Sequence, residues 1–257
     1  MEIRRFFVNP QDICANGEIV VSGDEFAHMT KVLRYKVGYK AIVCANDGIE
    51  RLCTIKQIDK DSAVLTCDEQ TVQDKKHVHI TLYAGLLKNN KLDFAVQKAV
   101  ELGIDEVRPF LSHNTAETKF SVDRANKIAL EAAKQCGSAY LTQVKDLCDF
   151  SKVIDDFKNF DKVLFAYEYE KKNRIKDCDL EGKNIALIVG AEGGFTAEEA
   201  AEIDKAFRVA REAHKAAKAK DNGAQIVTLG RRILRAETAS IVASTLLLDT
   251  LGELDYE

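Results

Sequence analysis

An α/β fold with a mostly parallel sheet, preceded by a small β unit, is what this sequence predicts, on three observations. From residue 77 onward, short apolar runs alternate with segments of helical period, the pattern of a parallel sheet covered on both faces. Residues 1–70 instead carry several short strands and a single helix. Between them, residues 71–76 are polar and charged and read as a linker. The expected division is therefore 1–70 and 77–257.

In the first part, the β-branched or alternating stretches 19–21, 40–45, 51–58 and 63–66 read as strands. Asn16-Gly17 and Asp47-Gly48 supply turn chemistry between them. Asp24 is placed to cap the one helix, and Phe26, Met29, Val32 and Leu33 recur along one helical face. A small β-barrel with one helix is the simplest closed form of this pattern.

In the second part, strand 80–84 precedes a helix over 92–102 that ends at Gly103, a good residue for a left-handed cap. Strand 106–110 follows. Ser121 then caps a helix whose apolar residues Val122, Ala125, Ile128, Ala129, Ala132 and Ala133 recur at three- and four-residue steps as far as Gly137. Residues 162–166 and 185–189 are two more short apolar strands. Thr196 and Glu199 form a capping box at the head of a long helix, and Asp221-Asn222-Gly223 is expected to stop it. A strand over 225–229 and a helix over 236–248 complete the chain.

Composition narrows the function classes. A chain of 257 residues with 46% hydrophobic and 30% charged side chains has ample material for a buried core. Its longest apolar run, 185–189, is far short of a bilayer span, and a charged, strand-like stretch follows Met1 where a secretory signal would be apolar. A cytoplasmic location is expected. The 7 cysteines contain no Cys-x-x-Cys pair and the 5 histidines do not cluster, so reduced structural thiols and no metal are expected. A net charge of −4 does not advertise a nucleic-acid partner. Yet residues 28–40 hold Lys31, Arg34, Lys36 and Lys40 without an acid, a pattern that on charge alone is a solvated helix end and turn.

Ligands of open α/β sheets bind beyond the carboxyl ends of the strands, and three strand-end turns stand out. The first is Gly190-Ala191-Glu192-Gly193-Gly194-Phe195, where three glycines in five positions permit a sharp turn and a close approach of backbone to ligand. It matches neither the dinucleotide fingerprint nor a phosphate loop, and a bare tight turn suits it equally well. The second runs from Leu229 to Thr238. Arg231, Arg232 and Arg235 crowd a helix start, where positive charge opposes the macrodipole, so an anionic partner would relieve the conflict. The third, Ala166-Tyr167-Glu168, draws interest only from its place at a strand end. Lys88 to Lys91, with Asp93, Gln97, Lys98 and Glu101, reads as the solvated face of a helix.

Six segments in this order, spread over nearly the whole chain, resemble the ribosomal RNA small subunit methyltransferase E family. The first four are His28-x-x-Lys31-Val32-Leu33-Arg34-x-Lys36-x-Gly38, Leu87-Lys88 through Asp93, Gln97-Lys98-x-x-Glu101-Leu102-Gly103 and Glu131-Ala132-x-x-Gln135-x-Gly137. The last two are Gly190-x-Glu192-Gly193-Gly194-Phe195 and Leu229-Gly230-x-Arg232-Ile233-Leu234-Arg235-x-Glu237-Thr238-Ala239. Ala191 stands where that family usually has proline.

The family belongs to the SPOUT class of S-adenosylmethionine-dependent enzymes and methylates N3 of a uridine in 16S rRNA of the small ribosomal subunit. The resemblance implies a PUA-like RNA-binding β-barrel over 1–70 and a SPOUT domain with a trefoil knot over 77–257. It implies a homodimer, and a cofactor pocket built from Ala166, Tyr167, Glu168, Val189, Gly190, Glu192, Gly193, Gly194, Leu229, Gly230, Ile233, Leu234 and Thr238. RNA contacts are expected from His28, Lys31, Arg34, Lys36, Lys88 and Arg232. Arg235 is expected to stabilise charge developing on the target base, with Glu237 orienting it.

Overall fold

The structure is a computed structural model that describes residues 3–74, 76–88, 90–216 and 225–255, with residues 210–216 described as backbone only. The expected stop at Asp221-Asn222-Gly223 lies outside the described residues. The chain forms two compact units, Met1–Lys75 with Ala133–Leu141, and Lys76–Ala132 with Thr142–Glu257.

The first unit is a half-barrel of five strands, β1 (Arg5–Phe7), β2 (Glu18–Ser22), β3 (Lys40–Cys44), β4 (Ile49–Ile58) and β5 (Ser62–Val72), in the order β1-β3-β4-β5-β2. Alternating side chains turn inward, so Phe6, Ile19, Val21, Val43, Ile55 and Leu65 form one core. Positive φ at Gly17 and Gly48, 82° and 75°, serves the two expected turns. Three sequence expectations change here. Ser22 occupies the N-cap position of α1 (Gly23–Ala27), and Asp24 falls within its first turn. The helix continues as a π turn, His28–Val32, closed by a hydrogen bond from Leu33 N to His28 O at 3.0 Å. That wider turn breaks the 3.6-residue phase, leaving Met29 buried but Val32 68% exposed. Finally, β5 runs through Val72, opposite Ile49, so backbone pairing claims the first two positions of the expected linker.

The segment Ala133–Leu141 belongs to this unit through ties that no local pattern announces. Lys134 Nζ pairs with Glu25 Oε1 at 2.5 Å, and Gln73 Nε2 donates to Gly137 O at 2.8 Å. Ala139 N donates to Gln73 Oε1 at 2.8 Å and Leu141 N to Asn46 Oδ1 at 2.8 Å.

The second unit is built on a wholly parallel sheet. Its strands are β6 (His79–Gly85), β7 (Glu106–Leu111), β8 (Gln143–Val144), β9 (Cys148–Asp149), β10 (Lys162–Ala166), β11 (Asn184–Val189) and β12 (Gln225–Val227), ordered β12-β10-β11-β6-β7-β8 with β9 also on β7. β8 and β9, two residues each, are too short to carry any periodicity, and the sequence reading missed them. The helices are α2 (Lys91–Leu102), α3 (Val122–Cys136), α4 (Phe150–Asp155), α5 (Ala197–Ala216) and α6 (Ala236–Thr250).

The expected caps form. Gly103 is left-handed with φ 87°, and Arg124 N donates to Ser121 Oγ at 3.4 Å. Thr196 N donates to Glu199 Oε2 at 2.9 Å while Glu199 N donates to Thr196 Oγ1 at 3.1 Å. The core joins Tyr83, Phe110, Phe165, Ile188, Phe195 and Phe207. Beneath it, Asp156 accepts from Tyr83 Oη and Arg108 Nη1, each at 3.0 Å, and pairs with Lys152 at 2.9 Å, so its buried charge is fully partnered. Burial, with Asp156 close by, pushes the Tyr83 hydroxyl far up.

All seven cysteines are free; Cys14 and Cys136 are exposed, Cys44 and Cys53 buried. Burial, reinforced by neighbouring Cys67, pushes the Cys53 thiol up to about 12. A thiol with that pKa is roughly one part in ten thousand thiolate at pH 8, and the thiolate is the nucleophile. Iodoacetamide at pH 8 is expected to label Cys14 and Cys136 first and Cys53 only after denaturation. Peptide mass spectrometry would detect early labelling of Cys53, which would contradict its burial.

Candidate functional site

Neighbouring parallel strands β12, β10 and β11 end at Val227, Ala166 and Val189, and the chain leaves each by one of the three turns singled out in the sequence. The turns converge on one cavity of about 430 Å³, lined by residues 166–169, 189–195, 228–236 and Ala239. Small-molecule sites commonly span roughly 300–1,000 Å³. Of the expected cofactor residues, Ala166, Tyr167, Glu168, Val189, Gly190, Glu192, Gly193, Gly194, Leu229, Gly230, Ile233 and Leu234 lie on this wall, as do Arg232 and Arg235. Thr238 and Glu237 are not on it. Ala236 and Ala239, three apart on α6, share the face toward the cavity, and the residues between them point around the helix.

The glycines are there because neighbours leave no room. A Cβ on Gly190 would stand 2.7 Å from the Phe195 ring, and one on Gly193 would stand 2.6 Å from Asn114 Cβ. Asn114 follows β7, and its Nδ2 donates to Gly193 O at 3.0 Å. From the same turn, His113 N donates to Glu199 Oε1 at 2.7 Å, tying the capping box to it. The tightest approach at this site involves a residue the sequence reading passed over. A Cβ on Gly85, at the end of β6, would lie 2.2 Å from Ala191 N. The available signal was an isolated glycine closing an otherwise apolar strand, the mark of a close backbone approach.

Charge is distributed unevenly over the walls. Arg231, Arg232 and Arg235 lie on one stretch, with Arg235 at the N-cap position of α6. Glu168 and Glu192 supply the carboxylates. Burial pushes the Glu192 carboxyl up, but hydrogen bonds from Lys91 Nζ at 2.9 Å and Lys88 N at 3.2 Å outweigh it and leave the group lowered. Tyr167 stacks on Phe165 with ring centroids 5.5 Å apart, offering an aromatic wall, and burial followed by nearby Glu168 raises its hydroxyl. Among the described residues, no ion pair joins Arg235 to Glu237; one Glu237 oxygen, Oε2, is buried without a hydrogen-bond partner. Guanidinium groups, carboxylates, aromatic faces and exposed loop backbone together suit a flat heterocycle bearing both charges. Among the described residues no group of three His, Cys, Asp or Glu is arranged to hold a metal.

The other expected contact residues divide by unit. Lys31, Arg34 and Lys36 are exposed in the first, and Arg34 takes a left-handed φ of 55°, uncommon for a non-glycine residue. His28 is half-buried, edge-on to Phe6 at 6.2 Å. Lys88 and Arg232 are exposed in the second unit.

The chain matches two families, an RNA methyltransferase domain over residues 74–211 and 211–248 and an RNA methyltransferase PUA domain over residues 21–66. It is 30% identical to ribosomal RNA small subunit methyltransferase E of Rickettsia conorii, over 95% of this chain and 94% of that one. Identity to the protein of that name from Bacillus subtilis is 27%, over 94% of each. A crystal structure of ribosomal RNA small subunit methyltransferase E from Neisseria gonorrhoeae, bound to S-adenosyl methionine, shares the fold with a TM-score of 0.79 at 22% identity, over 96% of this chain and 98% of that one. The chain belongs to the ribosomal RNA small subunit methyltransferase E family of RNA methyltransferases.

Proposed function

We propose that this methyltransferase uses S-adenosylmethionine to methylate N3 of a uridine in 16S rRNA of the small ribosomal subunit. The observation that carries the reading is the convergence of three successive strand-end turns on one cavity with three arginines in its wall. The cavity fits the cofactor. Its volume is adequate, Tyr167 offers a ring face, Glu168 and Glu192 complement a sulfonium and an ammonium, and an arginine complements a carboxylate. Space also remains beside Gly230, where a Cβ would meet nothing within 4 Å.

When bound, S-adenosylmethionine supplies an electrophilic methyl group, so the protein's task is positioning and charge stabilisation. Uracil N3 lies on the pairing edge, so the target base must be unpaired or flipped out to reach the site. Loss of the N3 proton spreads negative charge over O2 and O4, and Arg235 at the cavity wall is the group assigned to stabilise it. Glu237, in the first turn of the same helix, is assigned to orient Arg235; no ion pair joins the two among the described residues, and the support is its buried Oε2 without a hydrogen-bond partner. Incubation with labelled cofactor and small subunits lacking the modification, followed by nucleoside mass spectrometry, should give 3-methyluridine. A ribose 2′-O-methyl or methylguanosine product would overturn the target, and RNA binding without cofactor binding would overturn the enzyme.

Residues 1–70 serve as the RNA-binding module and 77–257 as the methyltransferase domain in this reading. Lys31, Arg34 and Lys36, helped by His28, grip rRNA phosphates, with Lys88 and Arg232 contacting RNA beside the site. Their support is exposure and local positive charge. The double reversal Lys31→Glu with Arg34→Glu is expected to weaken RNA binding at least about tenfold and to flatten its salt slope by about two. Unchanged binding across a salt titration would remove these residues from the interface.

The functional form is a homodimer, supported by exposed Phe94 on α2, Leu246 on α6 and Ile233 and Tyr169 at the cavity, at 44%, 39%, 87% and 71% exposure. A monomer in sedimentation equilibrium would contradict it. The trefoil-knotted path belongs to the same reading; its support is that α6 packs on β6 and β11 and also on the turn Ile175–Asp177 of the long β10–β11 connection. Among the described residues no helix is long and apolar enough to cross a membrane. Seven free thiols and an rRNA substrate support a cytoplasmic location.

A further inference from the structure

A second cavity, of about 340 Å³, opens on the same unit and shares no residue with the first. The chain leaving β6 supplies Leu86, Leu87 and Asn90, the first turn of α2 supplies Leu92 and Asp93, and residues 117–124 close the other side. Leu86, Leu87 and Leu92 close its base but are buried, at 2%, 2% and 4% exposure, so polar groups supply about as much of the lining as apolar ones. Phe120 adds an aromatic ring to the wall. Arg124 is fixed at the rim, its Nη2 donating to Asp93 Oδ2 at 2.5 Å and Asn90 Oδ1 at 3.2 Å.

These features select the chemistry of the occupant. Arg124 and Lys119 face Asp93 and Glu117, so no cationic excess favours a bare phosphate. An aromatic ring, a guanidinium plane, an amide and the Ser121 hydroxyl are the equipment that holds a single-stranded nucleobase, by stacking and edge hydrogen bonds. Position agrees with this. β6 and β11 are neighbours in the sheet, and Glu192 of the first cavity accepts from Lys88 N and Lys91 Nζ, which lie on the β6–α2 segment that helps build the second. An occupant of the second cavity therefore sits one strand away from the site of methyl transfer.

We infer that this cavity receives an unstacked base of the RNA substrate, adjacent in the strand to the nucleotide that is methylated. The inference rests on the methyltransferase reading of the first cavity and adds a subsite for the RNA. Phe120→Ala and Arg124→Gln test it, with S-adenosylmethionine binding by calorimetry, steady-state methylation of small subunits, and photocrosslinking to a 4-thiouridine-containing 16S fragment. Each variant is expected to raise the KM for RNA about tenfold. Cofactor affinity and kcat should stay at wild-type level, and the wild-type crosslink should map to residues 117–124. Phe120→Leu keeps a branched apolar side chain but loses the flat face, and it should show the same KM effect if Phe120→Ala fails to fold. Unchanged KM in every folded variant, with crosslinks only elsewhere, would overturn the subsite while leaving the methyltransferase intact. Were the wild-type protein to bind no S-adenosylmethionine, the parent reading would fall instead, and the crosslink map would still decide the subsite.

Discussion

Arg235→Ala is expected to lower kcat for methylation by about 10²–10³-fold, the loss seen when one donor to a developing oxyanion is removed. The position supports a role in the chemistry. Arg235 holds the N-cap position of α6, where a cation opposes the helix dipole, and it lines the cavity formed by the three turns. Among the described residues no side chain pairs with the Arg235 guanidinium, so the variant should fold with thermal stability at or slightly above wild type. Arg235→Lys keeps the charge but loses the planar fork, and it should recover only part of the rate. Single-turnover measurements at saturating cofactor and RNA isolate this step. Wild-type rates for the alanine variant would assign Arg235 to the wall alone.

Gly85→Ala should be the most damaging conservative change in the second unit. Its new Cβ would lie 2.2 Å from Ala191 N, 2.7 Å from Gly190 C and 2.9 Å from Ala191 Cα, all backbone atoms. They cannot swing aside, because β6 and β11 are locked in register by Tyr83 opposite Ile188 and Ala84 opposite Val189. The glycine-rich turn must move bodily, at a cost of about 3 kcal/mol, the upper end for overpacking. Cofactor affinity is expected to fall at least about tenfold, since 1.4 kcal/mol of such strain suffices. Gly230→Ala is the control. It meets no neighbour within 4 Å, although its φ of 111° still imposes backbone strain of about 1 kcal/mol. Thermal denaturation of both variants should rank Gly85→Ala well below Gly230→Ala; equal midpoints would show that the turn yields easily.

Glu192 marks where local reading ran out in another way. In the sequence it was one residue of a loop, and Lys88 and Lys91 belonged to a solvated helix face. In the structure, Glu192 bonds Lys88 N and Lys91 Nζ from 104 and 101 residues away. Charge pairing over that separation leaves no trace in either segment, since an exposed lysine near a helix start is unremarkable by itself.

The alternation of strands and helices, the caps at Ser121, Gly103 and Thr196–Glu199, and the three strand-end turns were determined by the sequence alone. Each depends on residues within a few positions, through periodicity, capping hydrogen bonds or glycine's freedom at φ > 0. Tertiary structure decided what no window could hold. It set β12, β10 and β11 side by side so that the three turns close one cavity, and turned Glu237 and Thr238 off its wall. It moved 133–141 into the first unit and pressed Gly85 against Ala191. The reason is common to all of these. Parallel strands pair through long crossovers, so partners along the carboxyl edge are fixed by hydrogen bonds and packing between residues far apart in the chain.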